Sequence, residues 1–132
     1  GQLTPLHFHW IKMEDIINRA GGRLMIQLFN ATSDEEIDQV NDVMISLDGV
    51  QIRLPPGGIV ELKPGESITL PQFCYHKFWG AEGRTLVGEV SFVNEDSTDN
   101  RFFEDIPRFP DFEEDEPPLY LLCTDHHKYC HF

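Results

Sequence analysis

Short stretches of alternating apolar and polar residues, separated by turn-forming residues, run through most of the chain. In the first stretch, residues 3–10, apolar side chains occupy one face of the predicted strand, and His7 and His9 occupy the other. Further strands are predicted at residues 23–30, 43–47, 50–54, 59–62, 67–70, 75–79, 86–93 and 119–123. Many short strands at this spacing predict an all-β sandwich or barrel.

The connections follow from the residues between the strands. Asp48-Gly49 favours a tight hairpin turn, and residues 80–84 are expected to join their flanking strands as a second hairpin. Residues 32–42 read as a polar loop. Residues 94–118 are rich in acidic residues, Phe and Pro, which predicts an ordered surface loop, and residues 125–132 are expected to be peripheral.

Composition narrows the class of protein. The chain of 132 residues suffices for one domain, and 10 basic against 23 acidic residues give a net charge of −13. This charge opposes binding to nucleic acids and to anionic membranes. No apolar stretch approaches the roughly 18 residues that a membrane span needs. Three cysteines without a repeating framework favour a reducing, cytoplasmic setting.

Four residues have the chemistry and spacing of metal ligands. His7 and His9 project from one strand face, Glu14 follows after an expected bend, and His76 lies on a distant strand. An isolated His-x-His pair is more often an ordinary polar pair, but the Glu and the distant His favour a metal site. Three imidazoles and one carboxylate suit Mn, Zn, Fe, Co or Ni, with Mn or Zn preferred, and leave positions open for a substrate.

These residues carry a resemblance to the two cupin motifs. The first motif matches Gly1, His7, His9, Glu14 and Gly21, and the second matches Gly65, Pro71 and His76. The chain departs from the second motif at Phe73, where many cupins have Gly, and at Trp79-Gly80, where Asn is frequent. The departure is expected to alter the turn before His76 and to leave the ligand in place. The resemblance implies a cupin-type double-stranded β-helix barrel, or jelly roll.

A narrower resemblance covers nearly the whole chain. The segments HFHWIKMEDIINRAGG, LPQFCYHKFWGAEG, LVGEVSFVNEDSTDN and EEDEPPLYLLC are similar to the D-lyxose isomerase family, bacterial cupins that interconvert D-lyxose and D-xylulose. The resemblance implies a metal-dependent aldose–ketose isomerase, with mannose and fructose as related sugars. Family members carry extra strands before the first motif, so we expect residues 1–132 to be a single cupin domain without those N-terminal elements.

Two residues beside the expected ligands are candidates for proton transfer. Lys12 lies between His9 and Glu14 and matches a Lys of the family; the alternative is a solvated surface lysine. Glu89 interrupts an apolar strand, and the predicted hairpin with the His76 strand favours an inward-facing carboxylate over a solvent-facing one.

Sugar-binding candidates are weaker. Polar residues of the 94–100 loop can bind hydroxyl groups, although an acidic loop is usually just solvated, and pocket-wall aromatics are more often core residues. The candidates for direct sugar contact are Gln2, Trp79, Asp96 and Asp99.

Alternatives remain open from the sequence. The same ligands can hold Fe(II) in a cupin dioxygenase, and a cupin can bind sugar without catalysis. Open sheet edges favour a homodimer. A second group of metal-binding residue types lacks a Cys-x-x-Cys pair and is expected to be a plain tail rather than a zinc site. It consists of Cys123, His126, His127, Cys130 and His131.

Overall fold

Strands are the main secondary structure of the described residues. The computed structural model describes residues 1–92, 94–95, 97–106, 113, 115–122 and 125–130. Within them lie the strands β1 (His7–Phe8), β2 (Glu14–Asn30), β3 (Val43–Leu47), β4 (Val50–Leu54), β5 (Ile59–Leu62), β6 (Ser67–Leu70), β7 (Cys74–Ser91) and β8 (Arg101–Phe102), and the helix α1 (His126–Tyr129). All strand pairs are antiparallel, which confirms the predicted all-β class.

The strands form one sheet in the order β4-β3-β6-β2-β7-β1-β8, and β5 also pairs with β2. β2 pairs with β6 through its first residues and with β5 through residues 24–27. This change of partner is consistent with a cupin-type jelly roll. Among the described strands the barrel is not closed, because β4 and β8 end the order without pairing with each other.

The two long strands, β2 and β7, pair along nearly their whole length. The register shifts between Asn18 and Ala20 and again between Gly21 and Arg23. Gly21 has a φ of +95°, and a Cβ there would lie 2.1 Å from the carbonyl oxygen of Arg84. The close approach of the two backbones therefore requires glycine at this position.

The predicted hairpin between residues 75–79 and 86–93 is wrong. Both stretches belong to the single strand β7, and residues 80 and 81 continue the pairing with β2. The turn-forming Glu82 and Gly83 adopt positive φ angles within this strand and produce an irregularity rather than a chain reversal.

The strand predicted at residues 23–30 begins earlier, at Glu14, and two other predicted strands are shortened or absent. Of residues 3–10, only His7–Phe8 forms a strand, and Leu3 makes an isolated bridge to Trp79. Residues 119–122 form no strand, and Leu119 and Tyr120 are 86 % and 84 % exposed, because no described strand pairs with this segment. The last residue of that predicted strand, Cys123, lies outside the described residues.

The inward face of the sheet supplies the hydrophobic core. Alternate residues of β2, β3, β5 and β6 point inward, so that burial follows the two-residue period of a strand. The buried cluster consists of Ile16, Leu24, Ile26, Leu28, Val43, Ile45, Val60, Leu62, Ile68, Leu70 and Cys74. In the described part of the chain, no helix is long and apolar enough to cross a membrane.

Candidate metal centre

Three histidines converge on the inner face of the sheet. His7 of β1 lies directly opposite His76 of β7 in the antiparallel register, and His9 follows β1. All three side chains are buried, and one ring nitrogen from each lies within 4.8 Å of the others. The strand pairing thus brings two distant chain segments together at one point.

Backbone carbonyl groups fix the orientation of each imidazole ring. Nδ1 of His7 donates to the Pro5 carbonyl at 2.8 Å, Nδ1 of His76 to the Cys74 carbonyl at 2.9 Å, and Nδ1 of His9 to the Asp99 carbonyl at 2.5 Å. A carbonyl oxygen only accepts, so each Nδ1 carries the hydrogen and each neutral ring keeps its lone pair on Nε2. Metal-binding histidines are held in this way.

Glu14 adds a carboxylate to the cluster. Its Oε1 lies 2.9 Å from Nε2 of His76 and 3.6 Å from Nε2 of His9. Two ligands on bonds of about 2.0–2.2 Å at right angles lie about 3 Å apart, so these separations suit neighbouring ligands of one ion. Nε2 of His9 and Nε2 of His76 are buried without a properly oriented hydrogen-bond partner. The donor set therefore fits a divalent metal ion.

The electrostatics favour a bound cation. Burial, and then the neighbouring His76, lower the pKa of His7 to about 3, so this imidazole is neutral at neutral pH. Burial alone would raise the pKa of Glu14, but its contacts with His76 and His9 outweigh burial and lower it. A neutral His7 and an ionised Glu14 therefore lie in one cluster, and this combination attracts a metal ion.

Lys12 lies beside the cluster, buried to 5 % exposure. Its Nζ is 3.0 Å from Glu14 Oε2, and it donates to Glu89 Oε1 at 2.8 Å and to Asn94 Oδ1 at 3.0 Å. Burial lowers the pKa of Lys12, but the hydrogen bonds to Glu89 and Glu14 outweigh this and raise it. Lys12 is therefore an ammonium group at neutral pH. The interpretation of a solvated surface lysine does not fit this position.

Glu89 faces the same interior as the ligands. It lies opposite the buried Ile16 in the β2–β7 register, and its side chain is 43 % exposed at the pocket mouth. The sequence argument for an inward Glu89 used a hairpin that does not exist. Glu89 shares the face of His76 because the irregularity at Glu82 and Gly83 shifts the strand alternation between them. The Lys12–Glu89 pair is thus accessible from the pocket.

The pocket above the cluster has a volume of about 290 Å³. The three histidines, Glu14, Lys12 and Glu89 all line this pocket. The other lining residues are Thr4, Pro5, Phe78, Asn94, Asn100 and Phe102. Gln2 and Trp79 instead line an adjoining open groove of about 960 Å³. Gln2 and Trp79 therefore do not line the pocket of the cluster, and sugar contact by either residue stays a prediction. Asp96 lies outside the described residues.

Asp99 was predicted to contact the sugar, but it does not line the pocket of the cluster. Its side chain is 2 % exposed, and its carboxylate accepts hydrogen bonds from the backbone N–H groups of Trp10, Ile11 and Lys12. Direct sugar contact by Asp99 is not supported, because the backbone occupies both carboxylate oxygens.

Sequence reasoning missed Phe102. This residue belongs to β8, and its ring lies 5.5 Å from the ring of His7 at the pocket wall. The sequence feature that could have indicated it is the Phe102-Phe103 pair within an acidic segment.

Phe73 adopts a left-handed backbone conformation, which glycine adopts more readily than other residues. Its φ is +58°, and its N–H donates to the His9 carbonyl at 3.0 Å. The expectation that Phe73 alters this turn therefore has no support. His76 lies in the cluster with His7 and His9.

The C-terminal His/Cys group is only partly described. His126 and His127 belong to α1, and Cys130 is a free thiol. Cys123 and His131 lie outside the described residues.

The opposite face of β1 carries an aromatic cluster. Phe8 packs against Trp10, Phe73 and Tyr75 with ring centroids 4.8–5.5 Å apart. Glu35 anchors this cluster: its Oε1 accepts from Trp10 Nε1 at 2.8 Å and its carbonyl accepts from the Tyr75 hydroxyl at 2.6 Å. The 32–42 segment thereby covers the strands that carry the histidines.

Comparisons with known proteins agree with this geometry. The sequence model of the D-lyxose isomerase family matches residues 1–126. A D-lyxose/D-mannose isomerase of Serratia proteamaculans is 49 % identical over 133 residues, 99 % of this chain and 57 % of that protein. A D-lyxose/D-mannose isomerase of Escherichia coli O157:H7 is 45 % identical over 130 residues, 97 % of this chain and 57 % of that protein. The chain thus spans little more than half the length of these relatives.

Proposed function

Since the chain belongs to the D-lyxose isomerase family, we propose that it is a metal-dependent aldose–ketose isomerase that interconverts D-lyxose and D-xylulose. The two relatives are named for D-lyxose and D-mannose, and we extend the proposal to the mannose–fructose pair. The observation that carries the proposal is the buried His7, His9 and His76 group beside the Lys12–Glu89 pair. This group combines metal-binding donors with an acid–base pair that opens to one pocket.

We propose that His7, His9, His76 and Glu14 hold the metal, with Mn or Zn preferred and Fe, Co or Ni also suited to the donors. A divalent ion, when bound, supplies Lewis-acid stabilisation of the charge that develops on the substrate oxygens. The carbonyl groups behind the imidazoles keep the Nε2 atoms directed into the pocket.

Aldose–ketose isomerisation moves hydrogen between two adjacent carbons, with no net change in composition. We assign Glu89 to accept the proton from C2 of the aldose and to return it to C1, because its carboxylate is exposed at the pocket mouth. Lys12, held protonated by its two carboxylate partners, donates a hydrogen bond to the substrate oxygen that gains negative charge. The hydroxyl proton passes from O2 to O1, which completes the ketose.

The sugar contacts follow from the pocket lining. We propose that Asn94 and Asn100 bind hydroxyl groups, because both line the pocket that contains the ligands. Gln2 and Trp79 contact only the part of a substrate that extends into the groove past Thr4 and Phe78, which border both spaces.

We further propose a homodimer in a reducing, cytoplasmic setting. Residues 86–91 of β7 pair with β2 on one side, no described strand pairs with their other edge, and Leu86 and Val90 are exposed. An unpaired apolar edge favours association. Cys74 and Cys130 are free thiols, as expected where disulfides do not form. Light scattering tests the dimer, and a monomer of full activity would contradict it.

An anaerobic assay tests the reaction. We expect metal-loaded protein to convert D-lyxose into D-xylulose without oxygen, and chelator-treated protein to be inactive until metal is restored. Oxygen consumption without ketose formation would instead indicate a dioxygenase. Sugar binding without turnover would indicate a binding protein. Either result would overturn the proposed isomerase activity.

A further inference from the structure

We propose that Asp99 is a positioning residue of the metal centre, which holds the segment between the ligands His9 and Glu14 in its binding conformation. The inference rests on the proposed metal site. It assigns Asp99 a role in metal affinity, in place of the sugar contact expected from its acidic loop.

The first observation is that Asp99 clamps three consecutive backbone groups. Its Oδ1 accepts from the N–H of Trp10 at 2.8 Å and of Ile11 at 3.0 Å, and its Oδ2 accepts from the N–H of Lys12 at 2.9 Å. Residues 9–13 lie between β1 and β2, so no strand ladder pairs these N–H groups. The Lys12 N–H is buried, and the other two N–H groups are partly buried. Leaving such donors without a partner is costly, so this segment depends on the carboxylate for its conformation.

The second observation is that the same residue contacts a ligand directly. The Asp99 carbonyl accepts from Nδ1 of His9 at 2.5 Å, which orients the ring and leaves Nε2 for the metal. Asp99 therefore holds His9 by its main chain and the residues that follow His9 by its side chain.

The third observation concerns Lys12. Its backbone N–H is held by Asp99, and its Nζ reaches both Glu14 and Glu89. Displacement of the segment would therefore move His9, Lys12 and Glu14 together. A carboxylate with two oxygens can satisfy all three N–H groups, whereas an amide keeps one acceptor and turns a donor toward the third.

The test compares Asp99→Asn and Asp99→Ala with a matched control, Asp38→Asn. Asp38 also accepts two backbone N–H groups, from Val40 and Asn41, but it lies away from the pocket. Co(II) is titrated into metal-free protein, and affinity, visible ligand-field spectrum at saturation and thermal unfolding of the metal-free form are recorded.

We expect Asp99→Asn to weaken Co(II) binding about 10-fold and Asp99→Ala about 100-fold, the range for groups that support metal ligands. The spectrum at saturation should change in both, while Asp38→Asn should bind Co(II) like the unaltered protein. Wild-type affinity and spectrum in the Asp99 variants, with only a lower unfolding temperature, would overturn the inference. Absence of Co(II) binding by the unaltered protein would overturn the metal site itself. If Asp99→Ala does not fold, Asp99→Asn decides the question.

Discussion

The two faces of residues 7–10 differ completely in how their polar atoms are satisfied. On the inner face, His9 keeps a buried Nε2 without a hydrogen-bond partner, as does His76 across the sheet. On the outer face, Phe8 is fully buried among rings and Trp10 Nε1 donates to Glu35. The inner face therefore has buried nitrogen atoms that a cation could bind, whereas the polar atoms of Trp10 on the outer face have a protein partner. We expect the inner face to serve metal binding and the outer face to serve stability.

Neighbouring residues of β7 also point to the two different faces. His76 points inward beside Glu14, while its neighbour Tyr75 points outward, is fully buried and donates its hydroxyl hydrogen to the Glu35 carbonyl. The two strands that carry the histidines are thus held from behind by one aromatic cluster. Substitutions on the two faces should consequently change different measurable quantities.

The largest expected effect is on the inner face. Replacing His76 with Ala should abolish stoichiometric binding of divalent metal, because no described residue nearby can replace a ligand from the opposite strand. Metal content after gel filtration is the measurement. Lys77→Ala, at the next position of β7, is the control and should retain one ion per chain. Full metal content in the His76 variant would remove this residue from the site.

On the outer face, Phe8→Ala should mainly destabilise the fold. Removing a fully buried ring leaves a cavity, so the free energy of unfolding should fall by about 3–5 kcal/mol. Urea denaturation of the metal-free protein measures this loss. Phe92→Ala, at a side chain that is 57 % exposed, should cost about 0.5 kcal/mol or less.

The metal affinity of the Phe8→Ala variant tests whether the two faces act independently. Its folded fraction should bind metal with an affinity within about tenfold of the unaltered protein, a change of about 1.4 kcal/mol. A Phe8 variant that is as stable as the control yet cannot bind metal would show that the two faces are not separate.

Lys12→Met and Glu89→Gln should lower kcat by about 10²-fold with little change in KM. Glu89→Gln removes the proposed proton acceptor, and Lys12→Met removes the proposed donor to the substrate oxygen that gains negative charge. Metal content must be equal in both variants, since Lys12 contacts the ligand Glu14. Lys63→Met, at an exposed lysine, is the control for loss of positive charge. A variant with intact metal and near-normal kcat would exclude that residue from the mechanism.

The smallest expected effect concerns Glu35, which accepts hydrogen bonds from Trp10 and Tyr75 on the outer face. Glu35→Gln keeps an acceptor for Trp10 but loses the ion pair with Arg101, which is 3.2 Å long and partly exposed. Such a pair contributes about 1 kcal/mol or less, so thermal unfolding should shift slightly and kcat should not change. A large loss of activity would link the outer anchor to the chemistry.

Local patterns predicted much of the fold. The bounds of β3, β4, β5 and β6 are those expected from apolar alternation and turn chemistry, and Asp48-Gly49 forms the predicted turn with both φ angles positive. These features depend on neighbouring residues, which the sequence displays directly. The hairpin expected at residues 80–84 failed because pairing with β2 continues through an irregularity that local turn residues do not reveal.

The candidate site was likewise predicted only in part from the sequence. The spacing of His7, His9, Glu14 and His76 suggested one cluster, and the structure brings the four side chains together, although metal binding stays a prediction. The role of Asp99 could not be read from its neighbours. Its partners lie 87 to 89 positions earlier in the chain, and only the folded sheet brings them into contact.

X-ray absorption at the zinc K-edge of zinc-loaded protein tests the central claim most directly. Three imidazoles and a carboxylate predict a first shell of N and O ligands at about 2.0–2.2 Å. Outer-shell scattering should correspond to three histidine rings, and one ring fewer should be found in a His9→Ala variant. A first shell made mainly of water, or scattering from a single ring, would contradict a metal centre on the inner face.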